Sequence, residues 1–350
     1  MNDVGTESPS PFHKGERLVQ ERMGVRDKVE KLGRRAIRDF LPDQHREFYA
    51  ELPFVLIGTV DGQGRPWTSL VPGRVGFMTT PDDRTLDVGM RPLFGDPLNE
   101  TLTEGAHVGV LGIQPHSRRR NRMTGRVGAV RPDGFTITVD RSFGNCPRYI
   151  QTRDVEVLPG IDRPETVRAV SRSDAIDEPV RGIIERADTL FIATAHLDER
   201  EAESQGADVS HRGGKPGFVK VEDERSFAFP DFSGNLHFNT VGNILLHPKA
   251  GFLFADFDTG DLVYLTGGAE IIWDGEMIEA FRGAQRLIRF SADEVIRVER
   301  SLPLRFTFGE YSPLLENTGS WTQASRIVAA DKAWSAVLEK SIVNGGSSRA

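Results

Sequence analysis

The sequence predicts a mainly β chain with covering helices, an α+β protein made of two barrel-like copies of one fold in tandem. Three observations predict it. The first is a set of short apolar runs bounded by Gly, Pro and Asp turns: FVLIGTV, HVGVLGI, FTITVD, LFIATAH, AGFLFADF and DLVYLTG. Runs of this length rich in β-branched residues read as strands, and many of them at close spacing suggest a barrel instead of a doubly wound sheet. The second is an internal repeat. Ser69 matches Ser210, and Gly76-Phe77 matches Gly217-Phe218, both 141 residues apart. Gly109 then matches Gly251, and Thr124-Gly125 matches Thr266-Gly267, both 142 apart. VDRSF (139–143) matches VERSL (298–302) at 159, the extra residues lying in WDGEMIEAFRGAQ. The third is that helical patterns fall outside these runs, where they can cover them.

Taken in order, residues 1–53 are an N-terminal helical segment, with Val25, Val29, Leu32, Ile37 and Phe40 at helical spacing opposite a charged face. Residues 54–158 are the first copy, 159–189 a charged helical linker, 190–310 the second copy and 311–350 a helical tail whose end, NGGSSRA, is expected to be disordered. DFDTGDLVYL is expected to be a hairpin about Asp258-Thr259-Gly260.

Composition excludes several classes. The 350 residues are 38% hydrophobic and 27% charged, which is soluble and globular, and the net charge of −7 argues against general nucleic-acid or anionic-membrane binding. No apolar run approaches the roughly 18 residues of a membrane span, and MNDVGTESPS lacks a signal peptide's apolar core. A single cysteine, Cys146, rules out an intrachain disulfide and a cysteine zinc cage, so a cytoplasmic location is expected. The eight scattered histidines give no metal-site spacing. Rossmann, Walker A, H-E-x-x-H and G-x-S-x-G motifs are missing from the sequence. The one basic run, Ser117 to Arg122 (SRRRNR), reads as a solvated hairpin tip, with an anion-docking patch as the alternative.

Two stretches carry the chemistry. DVSHRGGKPGFV places Ser210, Arg212 and Lys215 on or beside a strand, with glycines that let backbone approach a ligand. His211 alternates with Ser210 and Arg212 and is expected to face the other way. In LHFNTVGNILLHPKAGFLF, Asn239 or Thr240 begins a short helix whose free N–H groups suit a phosphate, with Asn243 as a further donor. Charged and uncharged donors together fit a phosphomonoester dianion.

With FPDFSGNLHFNTVGNILLHPKAGFLF, LTGGAEIIW and SFGNCPRYIQ, these stretches resemble the FMN-binding split barrel of the pyridoxamine 5'-phosphate oxidase-like proteins, over about two thirds of the chain. The resemblance implies two tandem split β-barrels forming an intrachain pseudo-dimer, with FMN in the cleft between them. It places Ser210, Arg212 and Lys215 on the strand flanking the flavin, and Asn239, Thr240 and Asn243 on the phosphate turn. The oxidase's Arg and Lys after that turn are replaced by Gly242 and Asn243, and its pyridoxal-phosphate contacts are not recognisable, so vitamin metabolism is not implied.

The repeat adds its own inference. Asp96 and Pro97 stand in the first copy where Phe238 and Asn239 stand in the second. An acid and a missing N–H make a poor phosphate turn, so a single FMN site in the second copy is expected, covered by the first. The functional expectation is an FMN-dependent oxidoreductase passing electrons from NAD(P)H or a reductase partner to a small organic substrate or O2. The rival is a flavin-, deazaflavin- or haem-binding protein without turnover. The catalytic acid or base is not identified, and the pseudo-dimer leaves room for a homodimer of chains.

Overall fold

The computed structural model describes residues 9–198 and 204–345, without the side chains of 145 and 334–345. Three helices lead: α1 (Lys14–Arg22), α2 (Arg26–Ala36) and α3 (Asp43–Ala50). The first sheet draws on β1 (Phe54–Val60), β2 (Pro66–Pro72), β3 (Met78–Asp82), β4 (Thr85–Val88), β5 (His107–Gln114), β6 (Arg119–Arg131) and β7 (Gly134–Asn145), with the short helix α4 (Leu98–Thr101) before β5. Then come β8 (Arg153–Val157), β9 (Val170–Ser173) and α5 (Glu178–Arg186). The second sheet uses β10 (Thr189–His196), β11 (Gly206–Gly213), β12 (Lys220–Val221), β13 (Ser226–Phe232), β14 (Lys249–Ala255), β15 (Leu262–Ile272) and β16 (Ala284–Val298), with α6 (Asn239–Leu246) before β14 and α7 (Glu276–Ala280) before β16. β17 (Leu304–Phe308) and α8 (Trp321–Gly345) follow.

Both sheets are antiparallel, and both run through their strands in the same order. The first is β2-β1-β5-β6-β7-β4-β3 and the second β11-β10-β14-β15-β16-β13-β12, with β9 added beside β16. β8 and β17 pair as a separate ribbon. Neither sheet closes on itself among the described residues, so the α+β class stands while the expected barrels are open sheets by their hydrogen bonding.

Two helical expectations need correction. The helix expected over 25–40 is shorter, and Leu32 is 52% exposed, because α2 packs through Val29 and Gly33 against Phe12 instead. The linker is only partly helical: Val170–Ser173 adds a strand to the second sheet, and the Asp177 carboxylate then caps α5 by accepting from the Val180 N–H at 2.9 Å. The expected hairpin at Asp258–Gly260 joins β14 to β15. Of the terminal segment expected to be disordered, residues 346–350 lie outside the described residues.

Each sheet has its own core, and a third core of Phe54, Leu56, Trp67, Phe191, Leu253 and Tyr264, with their neighbours, joins the two. Burying each such side chain stabilises the joint by roughly 1.5–3 kcal/mol. Contact is close because glycines permit it. A Cβ on Gly109 of β5 would lie 2.6 Å from Asp208 Cα of β11, and one on Gly251 of β14 would lie 2.1 Å from the Pro66 carbonyl oxygen of β2. The approach is reciprocal, and alanine at either position would force the backbones apart. This joint brings β6 of the first sheet against β11 of the second and creates the cleft described next.

Candidate functional site

On β6, Arg120 and Arg122 are two residues apart and so share a face. The Leu111↔Arg122 pairing with β5 fixes the register that turns them toward the second sheet. Both guanidiniums are buried, contrary to the solvated tip expected of SRRRNR. Tertiary burial overrides a local charge run here, and of that run Ser117, Arg118 and Arg119 stay near the surface, Arg119 over the Phe48 ring.

Arg122 is the hub. Its Nη1 donates to Asn239 Oδ1 at 2.9 Å and lies 3.4 Å from Asp208 Oδ1, and its Nη2 donates to Ser210 Oγ. Thr240 Oγ1 donates to the same Ser210 Oγ at 3.0 Å. Asn239 Nδ2 donates to Glu16 Oε1, which ties the cluster to α1. α1 can lie so close to α6 because Gly15 meets Gly242, where a Cβ would come within 2.2 Å of the Gly242 carbonyl oxygen. Phe238, just before α6, takes a left-handed backbone (φ 63°) and offers no side-chain cap, so among the described residues the helix start is uncapped.

Around this hub opens a cleft of about 740 Å3, counting solvent at its mouth. Arg120, Arg148, Arg212, Tyr149 and Phe232 also line it. Three of its residues, Tyr149 (φ 62°), Leu236 (φ 67°) and Phe238, are non-glycines in the left-handed region, a conformation that persists where surrounding structure enforces it. Arg212 Nε donates to Asp231 Oδ1 at 3.1 Å, and Arg286 Nε lies 3.6 Å from the other oxygen of that carboxylate. Arg148 donates to the Ser233 carbonyl at 3.1 Å, and Arg120 Nε to the Cys146 carbonyl at 2.5 Å.

The electrostatics are those of a cation cluster short of anions. Burial, then the Arg122 and Arg212 charges, bring the Arg120 guanidinium down to about 9. Burial also lowers Arg122, against the raising effect of Asp208. Among the described residues the buried Arg122 Nε has no hydrogen-bond partner. A buried donor left open costs about 1–3 kcal/mol, more for a charged group, which an incoming anion would recover. On the far side, burial and then the nearby Asp208 charge raise Glu16 to about 8, so its carboxyl is largely protonated at neutral pH.

The structure brings together Ser210, Arg212, Asn239 and Thr240 and separates Lys215 and Asn243 from them. Lys215 is exposed and lines a different cleft with Phe218 and Gln323, because the chain turns at Pro216-Gly217 after β11 ends. Asn243, one turn along α6, is buried, and its amide donates to Thr194 Oγ1 at 3.0 Å. Phe238 lines the cleft, and Arg286 stands behind it with the two ring and guanidinium centres 5.2 Å apart. Arg120 and Arg122 entered the sequence reading only as part of the alternative, an anion-docking patch in SRRRNR, and Arg148 was missed. Alternation of the two arginines on one strand face was the available signal for the first pair; Arg148 had none.

No protein-family model matches the chain, and no curated protein matches it by sequence. Among solved structures it is similar to a candidate pyridoxamine 5'-phosphate oxidase of Lactobacillus delbrueckii, at 15% identity over 35% of this chain and 94% of that one, TM-score 0.28. It is also similar to HupZ of Group A Streptococcus, at 16% identity over 34% and 91%, TM-score 0.27. A third similarity is to the MrkH–c-di-GMP complex of K. pneumonia, at 10% identity over 87% and 98%, TM-score 0.22.

Proposed function

We propose that the cleft holds FMN by its phosphate, that the two sheets are two copies of a split barrel, and that the chain is an FMN-dependent oxidoreductase. The observation that carries this reading is the Arg122–Ser210–Thr240–Asn239 cluster at the uncapped start of α6. Guanidinium, hydroxyls and free helix N–H groups are the donor set a phosphomonoester dianion needs. The open Arg122 Nε and the surplus of arginine over carboxylate fit such a group. When bound, FMN would supply electron transfer between NAD(P)H or a reductase partner and a small organic substrate or O2. The chain's part is to bind and orient. Arg122, Ser210 and Thr240 take the phosphate, Arg120 and Arg212 keep a positive field over the cleft, and Tyr149, Phe232 and Phe238 offer ring faces.

One observation favours a binding protein without turnover. Asp231, the carboxylate lining the cleft, is engaged by Arg212 and Arg286. A flavin, deazaflavin or haem carrier needs no carboxylate free of partners. The absorption spectrum of the protein with added FMN tests the binding, with bound-flavin bands and a single FMN per chain expected. A Soret band in the purified protein, or two tight flavins per chain, overturns it. Anaerobic NADH and NADPH then divide the readings: bleaching of the flavin supports the enzyme, and bleaching by dithionite alone supports the carrier.

A further inference from the structure

The four arginines that line the cationic cleft are not in the same state. Arg122 lies 3.4 Å from Asp208 Oδ1, and Arg212 Nε donates to Asp231 Oδ1 at 3.1 Å. Arg120 and Arg148 form no ion pair among the described residues. Arg120 Nε donates to the Cys146 carbonyl, and Arg148 Nη1 donates to the Ser233 carbonyl at 3.1 Å and to its hydroxyl at 3.0 Å. Their other guanidinium nitrogens have no hydrogen-bond partner among the described residues.

These two share one end of the cleft. Arg120 pairs with Asn145 in the β6–β7 ladder, and its bond to the Cys146 carbonyl holds the chain that reaches Arg148 two residues later. Arg148 in turn grips the Ser233–Gly234 segment of the second half. Arg122 lies one strand repeat away, about 6–7 Å along β6. A guanidinium that is 9% exposed with no carboxylate beside it is costly. Arg153, buried to the same degree for structural reasons, brings its own partner, Asp188 at 2.6 Å. Without the solvent at its mouth the cleft has about 70 Å3, room for about five waters, which a phosphate and one carboxylate group can share while the rest of each ligand extends outward.

We infer that the cleft has two anion subsites, the Arg122 hub for a phosphate and a second at Arg120 and Arg148 for a carboxylate, and that the substrate is a small organic acid. A carboxylate matches the guanidinium fork in plane and in charge. Charge balance favours it over a second phosphate. With Arg286 behind Phe238, five guanidiniums stand against the carboxylates of Asp208 and Asp231. A phosphate dianion leaves one positive charge over, which a monoanion neutralises and a second dianion would overshoot. That the acid is the substrate rests on the flavin reading; that a carboxylate binds beside the phosphate does not.

Acetate and acetamide, alike in shape and different in charge, are the probes, titrated by ligand-observed NMR into the full chain with and without saturating inorganic phosphate, whose own affinity is read by calorimetry. Acetate is expected to bind in the millimolar range, at least about tenfold tighter than acetamide, and without displacing phosphate. Arg148→Ala is expected to weaken acetate about tenfold or more and phosphate by less than about threefold. Arg120→Met should weaken acetate at least as much, and because Arg148 is only half-buried its variant keeps the test open should the Arg120 variant fail to fold. Arg122→Ala is expected to give the reverse pattern, losing phosphate and keeping acetate. Acetate that competes with phosphate, binds no tighter than acetamide, is lost together with phosphate in Arg122→Ala, or is unchanged in Arg148→Ala overturns the second subsite. Failure of phosphate to bind the wild-type protein overturns the flavin reading instead, and acetate binding then still decides the carboxylate subsite.

Discussion

The start of α6 and the start of α4 occupy equivalent places in the two sheets, and they satisfy the same geometry in opposite ways. In the second half, Ser210 meets Arg122 and Thr240 beside an uncapped helix start. In the first, Ser69 donates to Asp96 Oδ1 at 2.5 Å, the Leu98 N–H donates to the same oxygen at 2.8 Å, and the Tyr264 hydroxyl donates to Asp96 Oδ2 at 3.1 Å. Tyr264 is the counterpart of Arg122: it faces Leu253 in the β14–β15 ladder as Arg122 faces Leu111 in the β5–β6 ladder. The first half thus carries its own anion-shaped group, a carboxyl held by a hydroxyl, a helix N–H and a phenol. The second half's site takes its cation, Arg122, from β6 of the first sheet and has Phe238 where the first half has Asp96. One site is closed by a residue and, on the proposed reading, the other is open to a ligand, with a few substitutions at matched positions making the difference.

Removing the hub breaks the comparison most. Arg122→Ala deletes two charge-assisted hydrogen bonds and takes the guanidinium away from Asp208, and FMN and phosphate affinity are expected to fall about a hundredfold or more. Tyr264→Phe, the matched change, should alter that affinity by less than about twofold, since one neutral hydrogen bond in the other half is lost. Calorimetric titration of both folded variants decides it, and equal losses would mean the two halves share one site.

Arg212→Ala comes next. Its guanidinium is partly exposed and already shares Asp231 with Arg286, so a loss of about tenfold is expected. Val71→Ala, at the matched position of the first half, should lower the melting temperature through its buried methyls and leave ligand affinity unchanged. A loss of affinity in Val71→Ala as large as in Arg212→Ala would refute the division of labour.

How much of this was legible follows from how local each signal is. Ser210, Arg212, Asn239 and Thr240 could be found because strand, turn and helix start lie within one stretch of chain. Lys215 and Asn243 share that stretch but are turned away from the cleft by the end of β11 and by the helical period of α6. Arg122 escaped because its burial is set by pairing with β5 and contact with β11, at a distance in sequence that no local pattern spans. The helices were less legible than the strands. Leu32 fits the apolar spacing, yet α2 turns it to solvent, because Gly33 lets Phe12 pack on the other face.

A smaller effect separates the halves by pH. Burial raises Asp96 to about 7, partly countered by its Ser69, Leu98 and Tyr264 hydrogen bonds. A folded pKa above the unfolded value means the stabilisation is complete below about pH 4 and is lost as pH climbs through about 7. Asp96→Asn keeps the shape and removes the titration. Its thermal stability should therefore vary less with pH between about 4 and 7 than the wild type's, by on the order of a few kcal/mol. An unchanged pH profile in the variant would show that the first half's closed site does not titrate.

The smallest expected effect at neutral pH is in the second half, at Glu16. Its Oε2 accepts from the His13 N–H at 2.9 Å and its Oε1 from Asn239 Nδ2, so it sits one residue removed from Arg122. The groups facing it are Asp208, Arg141, Arg122 and His13, the last held to about 3 by burial and then by His196, and therefore uncharged at neutral pH. With Glu16 near 8, the carboxyl is mostly neutral at pH 7, and Glu16→Gln should change phosphate affinity by less than about threefold. Raising the pH to about 9 distinguishes the two proteins. In the wild type a new negative charge forms behind Asn239 and opposes the phosphate dianion across Arg122, so affinity declines. In Glu16→Gln no charge forms there, and affinity declines only by what Arg120, brought down to about 9, loses in both proteins. Stability follows the same sign: the wild type loses it as pH rises from about 4.5 through 8, and the glutamine variant loses less. Titrations with inorganic phosphate at neutral pH and at about pH 9 read the coupling as the difference between the two proteins, since the phosphate's own ionisation affects both alike. If the two proteins decline in parallel, α1 holds the cluster by shape alone, and the open site of the second half is insulated from the acid behind it as fully as Asp96 closes the first.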